Sequence, residues 1–176
     1  MSNHTTPIPA INTSTLLQLA VFAGCYCLFN YLYFQAPDQL YREVIYHYGV
    51  VKECVGLINA VLPQERVFAV QNHLLSAKAD LEIVRGCDSA GPLFLLMSAI
   101  LACPAGLSHK LAGLVLGLIW IYVLNIVRVI GLYFLIQGER GWFEFGHLYF
   151  APSLMIIGAL LFFVGWAVWQ LGRQAS

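Results

Sequence analysis

Four long apolar runs, separated by one polar stretch and two short breaks, organise the chain. They fall at residues 15–35, 88–103, 111–137 and 148–171. A helix crossing the hydrocarbon layer needs about 17–25 predominantly apolar residues, so each run is read as a transmembrane helix. The first ends in Tyr31, Tyr33 and Phe34, an interfacial aromatic belt. The second stops at Pro104, and residues 104–110 form a tight polar turn. The third carries Asn125 and Arg128 inside it, and the fourth closes on Trp166, Trp169 and Arg173.

The polar stretch has its own pattern. Over residues 38–62, Leu40, Val44, Tyr48, Val51, Val55, Ile58 and Val61 or Leu62 recur at spacings of three and four. That period predicts an amphipathic helix, on the membrane surface or partly inserted, ended by Pro63. Arg42, Glu43, Lys52 and Glu53 fall outside its stripe. Residues 66–84 then read as a small β-hairpin with strands at 66–71 and 78–84, the second alternating Leu81 and Ile83 with Asp80 and Glu82. Asn72, His73 and Ser76 fall in its connection. The expected fold is an all-α integral membrane helical bundle. It has about four transmembrane helices, plus an amphipathic helix and a small hairpin on one membrane face, in a single domain over residues 1–176.

Composition supports that class. Of 176 residues, 60% are hydrophobic and 10% charged, against about 45–50% and roughly 25% in soluble domains. The net charge is zero, so nothing calls for a nucleic-acid partner. The first fourteen residues hold no Lys or Arg. A cleavable signal peptide needs a basic start, so the first run is expected to remain in the membrane. The five cysteines, Cys25, Cys27, Cys54, Cys87 and Cys103, show no C-x-x-C spacing. Neither a disulfide framework nor a zinc site is expected, and no cofactor is called for.

Three polar residues stand out against this background. Cys87 opens the second run, Arg128 interrupts the third and His147 opens the fourth. Alternating passage through a bilayer brings all three toward one face. Arg128 lies about nine residues, or roughly 13 Å, below the third span's end, from where its long side chain can snorkel upward. An intramembrane Arg costs about 2.5–3.5 kcal/mol on insertion scales, so a function is the default reading; a structural pairing with Asp88 or Glu144 is the plainer one. A helix N-terminus and a nearby cation, from Arg85 or Arg128, would make Cys87 a better nucleophile, and His147 can act as general acid or base. Asn125 shares a helix face with Arg128.

The segments LEIVRGCDSAGPLFLL, LNIVRVIGLYF and WFEFGHLYFAP resemble the exosortase/archaeosortase family of membrane-embedded cysteine transpeptidases, nearest to its short H and M types. That family's signature is a Cys opening one transmembrane helix, an N-x-x-R inside a later one and a His opening the last. Cys87, Asn125 with Arg128, and His147 match it in identity and order. The strong similarity covers about residues 80–155. One departure is Ser89, where the family often has Gly.

The resemblance implies catalytic roles for Cys87, Arg128 and His147, with Asn125, Arg85, Asp88 and Ser89 supporting them or touching substrate. It implies exported protein substrates ending in a short motif, a transmembrane helix and a basic cluster. Membrane lipids and a glycolipid acceptor are further implied partners. The implied location is a bacterial inner membrane with the site toward the periplasm. The distribution of basic residues points the other way. Arg42, Lys52, Arg66, Lys78, Arg85 and Arg140 lie on the site's face, against Lys110 and Arg173 opposite, which by the positive-inside rule would put the site in the cytoplasm.

Three other readings compete. A non-catalytic scaffold or lipid-binding subunit of an envelope assembly would use Arg128 on a lipid headgroup. A serine hydrolase would use Ser89 with His147, without the G-x-S-x-G turn. A thiol–quinone oxidoreductase would need a redox pair, but Cys87 and Cys103 lie at opposite ends of one span. An inactive family member, disabled at Ser89, is the remaining variant.

Overall fold

The computed structural model describes residues 12–138 and 140–174. Helix α1 covers Thr13–Gln35. A π-helical segment, Leu40–Val51, runs without a break into α2, Lys52–Val61. Strands β1 (Phe68–Val70), β2 (His73–Leu75) and β3 (Asp80–Glu82) follow. Then come α3 (Ala90–Ala102) and α4 (Leu107–Ile136). The last helix is continuous: α5 (Arg140–Phe145), a π-helical turn Gly146–Phe150 and α6 (Ala151–Gln174).

Among the described residues, three stretches are long and apolar enough to cross a membrane: Thr13–Gln35, Leu107–Ile136 and Gly141–Gly172. The chain is therefore a helical membrane protein. The expected second span corresponds to α3, which has 13 residues and rises only about 20 Å. It is flanked on both sides by non-helical chain, including Pro104 at its foot.

Two apolar cores are stacked along α4. The first packs Leu96, Ile100, Ile121, Met155, Ala159 and Trp166 between α3, α4 and α6. Close approach here depends on glycine. A Cβ on Gly113 would lie 2.5 Å from the Trp166 indole, and one on Gly117 would lie 3.1 Å from Leu96 and 3.2 Å from Phe162. The pair is a small-xxx-small seam of the kind that lets membrane helices pack backbone to side chain. The second core gathers Tyr46, Val51, Cys54, Ile58, Leu74, Ile83, Val129 and Tyr133 from the π-helical segment, α2, the sheet and the far end of α4. Asn59 ties α2 to the sheet by exchanging hydrogen bonds with the Val67 backbone at 2.8 and 2.9 Å. The Tyr133 hydroxyl donates to Ser76 at 2.9 Å.

Residues 66–84 form a three-stranded antiparallel meander rather than a two-stranded hairpin. The expected connection contains its central strand, pairing Leu74 with both Ala69 and Leu81. Three-residue strands are too short to display an alternation, and Gln71, at φ 52°, reverses the chain immediately after β1. Leu81 and Ile83 point into the core while Asp80 and Glu82 face outward.

The predicted stripe on the polar helix is also corrected. Leu40, Val44, Tyr48 and Val61 are exposed. Val51 and Ile58 of the stripe are buried and Val55 packs partly buried against the core, while Tyr46, Val50 and Cys54, off the stripe, are buried as well. A π-helix bonds i to i+5 and has a longer turn than an α-helix, so Tyr41, Tyr46 and Val51, spaced by five, share a face. A template of threes and fours selects the exposed Leu40, Val44 and Tyr48 there, and meets the buried face only from Val51 onward, at Val55 and Ile58.

Candidate active site

The turn before α3 sets the site. Gly86 has φ +90° and Ser89 has φ +61°, both left-handed, and the Cys87 amide donates to the Val84 carbonyl at 2.9 Å. Cys87 thus sits in a tight turn ahead of the helix, not on its first residue as the apolar run implied. The run continues through Pro92, which is tolerated in a first turn, but the two reversed residues delay the helix to Ala90. For serine the left-handed conformation costs about 1–2 kcal/mol. Through Ser89 the turn meets Asn125 and Arg128 on α4.

Cys87 Sγ lies 3.9 Å from His147 Nε2, the long end of a sulfur hydrogen bond. Both residues are half-buried. His147 does not open its helix. The apolar WFEF segment extends that helix back to Arg140, so His147 falls inside the π-helical turn Gly146–Phe150. Its ring stacks on Phe143 with centroids 5.7 Å apart and planes 11° from parallel. The other ring nitrogen, Nδ1, is buried without a hydrogen-bond partner among the described residues, and the stack on Phe143 holds the ring.

Arg128 is 7% exposed and Asn125 3% exposed. Ser89, buried to the same degree as Asn125, joins them: Arg128 Nη1 donates to Ser89 Oγ at 3.0 Å, and the Ser89 hydroxyl donates to Asn125 Oδ1 at 2.7 Å. Arg128 Nε is buried with no hydrogen-bond partner among the described residues. The expected snorkelling is not what positions this Arg. At 30 residues α4 is about 45 Å long, and its last turns are packed under the sheet and α2. The guanidinium therefore meets the Cys87 turn at its own level.

Two expected helpers are committed elsewhere. Arg85 makes its contacts with the end of α1 and the segment after it. It donates to the Tyr33 and Ala36 carbonyls at the end of α1, pairs with Asp38 at 2.8 Å and lies over the Tyr41 ring at 4.5 Å. Those carbonyls are the unsatisfied, negative end of a helix and are a favourable place for a cation. Asp88 accepts from the Tyr33 and Tyr46 hydroxyls at 2.5 and 3.1 Å through Oδ2, and from the Ala90 amide through Oδ1. It clamps the turn to α1 and to the π-helical segment. Burial, followed by the Tyr33 hydrogen bond and the Asp88 charge, pushes the Tyr46 hydroxyl far up, so it stays a proton donor. Neither Tyr33 nor Tyr46 was singled out from sequence. Tyr33 read as an interfacial aromatic, and Tyr46 lay off the three-and-four stripe.

A groove of about 300 Å³ runs beside this cluster, lined by Gly86, Ser89 and Arg128 at its polar end and by Tyr26, Leu95, Pro152, Met155 and Ile156 along its apolar walls. A second, of about 310 Å³, lies across the Ser89–Asn125 hydrogen bond, among Tyr33, Tyr41, Asp88, Phe94 and Tyr122. All five cysteines are free thiols.

No family model matches the chain, and no curated protein or solved structure matches it either.

Proposed function

We propose that the protein is a membrane cysteine peptidase or transpeptidase of the exosortase kind. It acts on the C-terminal sorting tail of exported proteins just outside a bacterial inner membrane. The observation that carries this reading is the approach of Cys87 to His147 at 3.9 Å, with the buried Arg128 one hydrogen bond from the neighbouring Ser89. Catalytic hydrogen bonds are often long before substrate binds.

In this reading α3 is a short fourth span, and the lower core lies within the bilayer. The sheet, α2 and the last turns of α4 form a cap on the periplasmic side. That cap holds Lys52, Arg66, Lys78 and Arg85, and with them much of the charge imbalance that conflicts with the positive-inside rule. A folded cap also carries acids, among them Asp80 and Glu82 beside His73 and Glu65 beside Lys78.

The chemistry follows from the groups present. The Cys87 thiolate attacks the scissile carbonyl carbon; a C–S bond forms and the negative charge moves to oxygen. Arg128 meets that oxyanion from the polar end of the groove. Collapse breaks the C–N bond, and the proton on His147 Nε2 goes to the leaving amine. Water or an acceptor nucleophile then gives its proton to His147 and attacks the thioester, releasing the product and restoring the thiolate. The apolar groove beside Arg128 is suited to a substrate whose cleaved bond adjoins a hydrophobic segment.

The serine-hydrolase alternative loses ground on one contact, because the Ser89 proton is directed at an amide oxygen, which is not a base. Co-expression with a secreted protein bearing a motif–helix–basic tail tests the proposal. Tail removal should occur with the wild type and fail with Cys87→Ala. Unchanged removal with Cys87→Ala, His147→Ala and Arg128→Ala would reject it in favour of a non-catalytic scaffold or lipid-binding role.

A further inference from the structure

Ser89 occupies a backbone position that suits glycine. Its φ of +61° is free of steric cost only without a Cβ. What the side chain does is bridge. Its hydroxyl accepts from Arg128 Nη1 at 3.0 Å and donates to Asn125 Oδ1 at 2.7 Å, with all three residues more than nine-tenths buried. The amide and the guanidinium sit three residues apart on one face of α4, and the serine inserts between them from the turn that carries Cys87.

We infer that Ser89 is a positioning residue for Arg128. Its hydroxyl orients the guanidinium toward the turn bearing Cys87, and Asn125 holds the hydroxyl so that its lone pairs face Arg128. The inference rests on the proposed cysteine chemistry for its catalytic consequence, but the Ser89–Arg128 contact itself does not. The geometry also explains how the chain accommodates a serine with a strained backbone. Two hydrogen bonds inside a water-poor site, one of them to a charged donor, offset the strain, since bonds to ionised groups are the stronger ones. Without the hydroxyl the guanidinium would have its Nη1, as well as its Nε, buried without a hydrogen-bond partner among the described residues.

Two substitutions separate the backbone from the hydroxyl. Ser89→Gly relieves the strain and removes the hydrogen bonds; Ser89→Ala keeps the strain and removes them. A purely conformational role for position 89 predicts that the glycine variant is at least as active as wild type. A positioning role predicts that it folds, keeps KM for a tail-bearing substrate within about threefold and loses kcat by about 100-fold, the scale of a 1 Å misplacement of a reacting group.

Contact and chemistry are then read independently. A thermal-stability cycle over Ser89→Ala, Arg128→Met and the double variant, in detergent or nanodiscs, should be non-additive, with Ser89→Ala costing little once Arg128 is gone. Additive stabilities would overturn the inference, as would a Ser89→Gly enzyme with wild-type kcat. Non-additive stabilities in a protein without any tail-cleaving activity would retain Ser89 as the partner that orients Arg128 and would reject the catalytic reading alone.

Discussion

Cys87 Sγ and His147 Nε2 lie 3.9 Å apart, although one belongs to a turn between the sheet and α3 and the other to a π-helical turn two helices later. Two local distortions bring them together. Left-handed residues at 86 and 89 hold the thiol off the end of α3. The wide turn at Gly146–Phe150 carries the imidazole to the thiol. Isolated π-helical turns inside α-helices frequently occur at functional sites.

The first prediction concerns this pair. Cys87→Ala and His147→Ala should each abolish tail removal while leaving the folded, monodisperse protein intact, because both side chains are half-buried and neither belongs to a core. Phe143→Ala should be milder, about tenfold, since it removes the ring that stacks on His147 without removing a reacting group. Immunoblots of a tail-bearing reporter, read against expression level, check all three. Activity in Cys87→Ala equal to wild type would remove the nucleophile.

The second concerns the clamp on Asp88. Asp88→Ala leaves the Tyr33 and Tyr46 hydroxyls without their shared acceptor, and an unsatisfied buried donor costs about 1–3 kcal/mol. Tm should fall clearly, whereas Asp88→Asn, which keeps an acceptor oxygen, should fall less. Thermal melts of the purified protein followed by tryptophan fluorescence make the comparison. Equal melting of the Ala and Asn variants would show that the hydrogen bonds carry no weight.

The third concerns Cys54. It is fully buried, and burial, with a smaller contribution from Glu53, pushes its thiol up from 9.0 to about 12. It should resist alkylation in the folded protein at pH 8 and react after denaturation, whereas the half-buried Cys87 should react in the folded state. The raised value also fixes a sign. Above pH 9 the unfolded chain releases this proton and the folded chain retains it, so stability conferred by the neutral thiol is lost as pH rises from 9 toward 12. A Cys54→Val variant should show a shallower loss of Tm over that window.

The fourth concerns the helix seam. Gly113→Ala would drive a methyl group into the Trp166 indole, whose Nε1 is held by the His109 carbonyl at 3.1 Å. Overpacking of this kind costs about 1–3 kcal/mol. Gly131→Ala, where an added Cβ meets nothing within 4 Å, should be neutral or slightly stabilising. The two Tm values, measured side by side, distinguish a packing seam from a general intolerance of the helix.

Much of the scaffold was legible in the sequence because long apolar runs and their breakers are unambiguous: α1, α4 and the closing helix all lie where hydropathy places them. The polar helix was legible as an element but its face only in part: Val51, Val55 and Ile58 were placed on the core side, while π-helical spacing hid Tyr46. The central strand was hidden by its three-residue length. For the site, residue types pointed to Cys87, His147 and Arg128, while the direction of each side chain did not follow from order along the chain. Arg85 illustrates the limit. Its place beside Cys87 in sequence suggested a cation for the thiol, yet the free carbonyls at the end of α1 claim it. Ser89 was visible only as a residue where glycine is usual in the similar family, and its bridge to Arg128 is a tertiary fact that no local pattern carries.

Trapping the covalent species on Cys87 tests the proposed chemistry most directly. The purified protein, mixed with a tail-bearing substrate and quenched in acid, should yield a Cys87-containing peptide carrying the substrate's N-terminal fragment as a thioester. Hydroxylamine should release that fragment, and the Cys87→Ala protein should show none of it. Tail cleavage that proceeds with no adduct on Cys87, or an equal yield of product from Cys87→Ala, would contradict the account.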